Sequence, residues 1–129
     1  MEWDKINGMI TFTYYNEIEK ADEFYRVLMG FEKVIDVDFA KVYKVSEGAH
    51  MGIVDGKRGF MKATEEKPVM LTFMVDVVDT WHEYLKSKGV EIIQPPKEAP
   101  YLKMKTMLIK DPEGYVVEIL EFTKKPYGS

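Results

Sequence analysis

The chain has no cysteine. Disulfides, thiolate metal sites and cysteine nucleophiles are therefore excluded. It also lacks any dense basic block, and its net charge is −4, so the electrostatic footprint of nucleic-acid binding is missing. No apolar run approaches the ~20 residues needed to span a bilayer. The opening Met1-Glu2-Trp3-Asp4-Lys5 has no basic-then-apolar layout of a signal peptide. These absences lead us to expect a soluble cytoplasmic protein with neither nucleic-acid nor membrane partners. Hydrophobic residues make up 46% and charged residues 31%, which argues for a globular chain over a disordered one. Its 129 residues suffice for one domain with a core of its own.

Residues 9–15 alternate, with Ile10, Phe12 and Tyr14 on one face and Met9, Thr11 and Thr13 on the other, which predicts a strand. Asn16 with Glu19 resembles a capping box. Ile18, Ala21, Phe24, Tyr25 and Leu28 recur at helical spacing, and Gly30 stands where a C′ glycine ends a helix. Strands are expected over 31–38, 41–46 and 50–54, followed by a charged linker over 57–68. The pattern then returns: a strand over 69–75, a helix capped by Asp76 and ended by Gly89, and a strand over 90–94. A loop is expected from Pro95 to Pro100, then strands over 103–110 and 115–122 and a loose tail over 123–129.

The last strand is introduced by Asp111-Pro112-Glu113-Gly114. This is turn chemistry, because proline pre-sets φ and glycine accepts φ > 0. In mid-strand stands Glu118, a carboxylate that must face water, a partner or a site, since burying it alone is costly. The repeat is partly literal, with Met9-Ile10-Thr11-Phe12 echoed by Met70-Leu71-Thr72-Phe73. Two copies of one supersecondary unit are thus expected, about 8–56 and 69–122.

Three segments carry a family resemblance. Phe24-Tyr25-Arg26-Val27-Leu28-Met29-Gly30-Phe31, Thr72–Asp79 and Asp111–Glu118 are similar, in order and spacing, to motifs of the vicinal oxygen chelate superfamily. That superfamily holds glyoxalases, extradiol dioxygenases and bleomycin-resistance proteins. The resemblance implies a single α+β domain of two tandem βαβββ modules around a U-shaped cleft, and it implies a homodimer. It also implies a metal ligand from the first and last strands of each module. Glu118 matches the last of these positions. The others fall on Met70, on Gly52, and on Met9 by the internal repeat or Ile10 by spacing to the helix. Glycine has no side chain, and a thioether suits soft Cu(I) rather than the ordinary divalent ions. A catalytic zinc takes three protein ligands. No cofactor is therefore expected and no metal ligand is assigned, with a divalent ion at an atypical site left open.

Alternation expects Met9, Thr11, Thr13, Met70, Thr72 and Met74 to line the cleft as ligand-binding residues. Methionine makes an adaptable apolar lining, and the alternative is a closed core filled by the same side chains. Glu118 reads as a catalytic acid or base, or as an anchor for a cationic or hydroxylated ligand, with Lys105 or Tyr101 as neighbours. His50 could pair with it. The leading reading is a glyoxalase/bleomycin-resistance-like protein that binds a small organic molecule in an apolar cleft without the usual metal site. The alternative is a lyase, isomerase or dioxygenase-like enzyme using Glu118 with an atypical metal or as acid or base.

Overall fold

Period-two hydrophobicity interrupted by glycine turns produces two similar units, Met1–Thr64 and Glu65–Ser129. The structure, a computed structural model, describes residues 4–124, so the end of the expected tail, from residue 125, lies outside it. The boundary between the units falls inside the expected 57–68 linker.

In the first unit, β1 (Ile10–Tyr15) leads into α1 (Ile18–Asp22), which a π-helical turn (Glu23–Leu28) continues. Then come β2 (Glu32–Val37), β3 (Ala40–Ser46) and β4 (Ala49–Asp55). The sheet order is β1-β4-β3-β2, with β1 parallel to β4 and the other pairs antiparallel. The second unit repeats this with β5 (Met70–Met74), α2 (Val78–Ser87), β6 (Ile92–Ala99), a 3₁₀ turn (Pro100–Leu102), β7 (Met104–Lys110) and β8 (Val116–Phe122). Its order is β5-β8-β7-β6. Each helix packs on the sheet of its own unit. The architecture is α+β, two strand–helix–strand–strand–strand modules, as the repeat predicts. No helix among the described residues is long and apolar enough to cross a membrane.

The turns expected at Gly30, Gly89 and Gly114 are present, and Gly48 adds another between β3 and β4. Gly30, Gly48, Gly89 and Gly114 have φ between 75° and 94°, a region costly for residues with a Cβ. Asp111 completes the last of these turns. Its Oδ1 accepts from the N–H groups of Glu113 and Tyr115, each at 3.0 Å, which fixes the entry into β8.

Four local expectations are corrected. Pro95 to Ala99 is strand, not loop: β6 is the edge of its sheet, where a residue without an N–H costs no ladder bond, and its register shifts between Gln94 and Lys97. The N-cap position of α1 is Glu17, not Asn16, and Glu17 makes no side-chain capping bond. Asp76 does not cap α2: the N-cap is Val77, and the Val78 N–H bonds instead to Glu121 Oε1 at 3.0 Å.

The fourth correction inverts the first strand. Thr13 (1% exposed) and Tyr15 lie beneath the helix, whereas Ile10 and Phe12 are on the opposite face, each 41% exposed. The cause is hydroxyl pairing. Thr13 Oγ1 donates to Tyr15 Oη at 2.9 Å, and Tyr15 donates to Tyr25 Oη at 3.5 Å, so the polar-looking face is satisfied in burial. The literal repeat is therefore one residue out of register, and Ile10, not Met9, is the counterpart of Met70.

Candidate functional site

On β8 the buried Val117 and Ile119 hold the strand against the α2 side, which turns the half-buried Val116 and Glu118 to the opposite, open face, where Leu120 is itself buried. Parallel pairing sets Met70 beside Val116, Thr72 beside Glu118 and Met74 beside Leu120. Met70, Thr72, Met74 and Glu118 thus share one face, as alternation predicts for this unit. Thr72 Oγ1 donates to Glu118 Oε1 at 2.9 Å. The flanking methionines are open to solvent, Met70 by 50% and Met74 by 61%, so they do not fill a closed core.

Neither expected neighbour of Glu118 is its partner. Lys105 lies opposite Glu121 in the β7–β8 register, hence on the other face, and binds Asp79 at 2.7 Å. That hydrogen bond raises the Lys105 pKa. Tyr101 is 83% exposed. Adjacency along the chain could not show which face each occupies.

On the open face of the first sheet, Ile10 pairs with His50 and Phe12 with Gly52. His50 is half-buried and lines a pocket of about 480 Å³ with Met9, Ile10, Val34, Ile35 and Val42. Met9, which precedes β1, reaches this pocket. Thr11 and Thr13 are corrected: both belong to the helix side of the sheet. His50 and Glu118 belong to different units.

The positions implied by the resemblance hold Ile10, Gly52, Met70 and Glu118, which supply one carboxylate. Among the described residues no three of His, Cys, Asp and Glu gather closely enough to hold an ion.

A charged cluster on the helix side of the first sheet was not foreseen. Asp22, with 5% of its side chain exposed, accepts from Tyr43 Oη at 2.6 Å and from Arg26 Nε at 3.0 Å, and Lys33 Nζ stands 3.2 Å away. Burial would raise the Asp22 carboxyl, but the hydrogen bonds from Tyr43, Arg26 and Lys33 outweigh it and hold the carboxyl below its ordinary value. Burial first, and Asp22 second, push the Tyr43 hydroxyl far upward. Lys41 extends the cluster to Asp36 at 2.7 Å. The available signal was an aspartate inside the apolar stripe Ile18, Ala21, Tyr25.

The family model of the Glyoxalase/Bleomycin resistance protein/Dioxygenase superfamily matches residues 10–119. No curated protein matches the chain. Among solved structures, a lactoylglutathione lyase from Agrobacterium tumefaciens is similar at TM-score 0.75 and 19% identity, over 92% of this chain and 96% of that one. A glyoxalase/bleomycin resistance protein/dioxygenase from Nocardioides matches at 0.74 and 19%, over 98% and 91%. The fosfomycin resistance protein FosX from Listeria monocytogenes matches at 0.72 and 18%, over 91% and 94%.

Proposed function

Because the chain belongs to the Glyoxalase/Bleomycin resistance protein/Dioxygenase superfamily, we propose that it binds a small organic molecule on the open face of its second sheet, without a metal. The observation that carries this reading is the Thr72–Glu118 hydrogen bond, set on an exposed face flanked by Met70 and Met74. A few convergent polar groups on an otherwise apolar surface are the usual make-up of small-molecule recognition. Thr72 orients one carboxylate oxygen, and the other is presented to an N–H, an O–H or a cationic group of the ligand. The methionines adapt their rotamers to the rest of it. Two structural neighbours carry names that refer to small molecules, a fosfomycin resistance protein and a lactoylglutathione lyase.

The test is a thermal-shift screen of hydroxylated and amine-bearing compounds, with hits titrated by NMR in the presence and absence of EDTA. Binding should survive chelation, weaken in Glu118→Gln and be blocked in Met70→Trp. A hit whose affinity is unaltered in both variants overturns the placement, and a hit lost on chelation overturns the metal-free reading.

A further inference from the structure

We propose that the pocket where β5 meets α2 is a second binding site, one that takes a small organic cation of the alkylammonium class. It has a volume of about 430 Å³ and is lined by Met74, Val75, Asp76, Val77, Thr80 and Trp81. Only Met74 is shared with the face that carries Glu118.

The key group is Asp76. Its position just before α2 is that of a capping aspartate, but Glu121, reaching from β8, takes the Val78 N–H in its place. Among the described residues Asp76 makes no hydrogen bond or ion pair. The next aspartate, Asp79, is already neutralised by Lys105 at 2.7 Å. One carboxylate is thus released from local structure and left exposed at a pocket wall.

The rest of the lining suits a cation. Trp81 is half-exposed and braced edge-on by Tyr84, with ring centroids 6.0 Å apart and an interplanar angle of 89°. An indole is the best of the aromatic partners for an ammonium group. Met74 adds a soft, polarisable thioether. None of the six lining residues is basic, and at the positive end of the α2 dipole the Val78 N–H is taken up by the Glu121 carboxylate. An anion would meet the Asp76 charge. A carboxylate beside an aromatic face holds an alkylammonium group by charge and by the ring quadrupole together.

The experiment uses the full chain carrying Trp3→Phe, which leaves Trp81 as the only tryptophan. Tetramethylammonium chloride is titrated against Trp81 fluorescence, with sodium chloride at matched ionic strength as the control. A saturable change in the millimolar range, absent with sodium, is expected. Adding Asp76→Asn should weaken it severalfold, whereas adding Glu118→Gln should leave it unchanged. Circular dichroism checks that each variant is folded. No saturable change with tetramethylammonium overturns the site, and an equal response in Asp76→Asn overturns the role of the carboxylate. Loss in Glu118→Gln but not in Asp76→Asn would place the cation on the open sheet face instead. The second site would then fail without touching the proposed function.

Discussion

Phe12 lies across Gly52. The two are partners between β1 and β4, and a Cβ built at Gly52 would run into the edge of the Phe12 ring. In the second unit the corresponding partners between β5 and β8 are Thr72 and Glu118, joined by a hydrogen bond. One module offers a polar pair where the other offers a ring over bare backbone. The glycine is therefore required by its neighbour rather than by its own φ.

Gly52→Ala should accordingly destabilise the protein by about 1–3 kcal/mol, the range for overpacking. Urea unfolding measures it. Phe12→Leu in the Gly52→Ala background should recover part of the loss, because it removes the ring edge that blocks the new methyl. Strict additivity of the two changes would show that the ring is not the obstacle.

Thr72→Val should have little effect on folding, less than ~1 kcal/mol, because the hydrogen bond is open to water. Its effect should fall on ligand affinity, through loss of the orientation of Glu118. Should a substrate be found, Glu118→Gln abolishes turnover if Glu118 is the base, and an unchanged rate removes it from that role.

The Asp22 cluster predicts an acid limit. A carboxyl held below its ordinary value stabilises the fold above the unfolded pKa, about 3.9, and that stability is lost as the pH falls through the folded pKa. The melting temperature of the wild type should thus drop steeply below about pH 4, more than that of Asp22→Asn. At neutral pH Asp22→Asn should itself cost about 1–3 kcal/mol, since it weakens the charge-assisted hydrogen bond to the buried Tyr43 hydroxyl. The raised Tyr43 hydroxyl acts at the other end. Its contribution is full below about pH 10 and is lost as the pH rises toward the folded pKa. Parallel pH profiles of the two proteins would refute the acid limit.

Glu121→Ala removes the group that receives the Val78 N–H and should cost about 0.5–2 kcal/mol, the range for a lost N-cap. Asp76→Ala should cost less than a few tenths of a kcal/mol, because Asp76 caps nothing. Equal losses from the two, measured by urea unfolding, would return the cap to Asp76.

Much of this protein was legible in the chain itself, because it rests on local rules. Period-two alternation marked the strands, Gly30 and Gly89 marked the helix ends, and Asp111 to Gly114 marked the turn that launches β8. The repeated unit announced the architecture, and the mid-strand carboxylate announced Glu118. Other features depend on groups far apart in sequence. Thr13 and Tyr15 are buried with their hydroxyls joined to each other and to Tyr25. Asp76 is free of the helix only because Glu121 reaches across from β8. Asp22 is tolerated in an apolar stripe only because Tyr43, Arg26 and Lys33 converge on it. A hydrogen bond satisfies whichever group is nearest in space, and proximity across strands is decided by register and packing, which no local pattern contains.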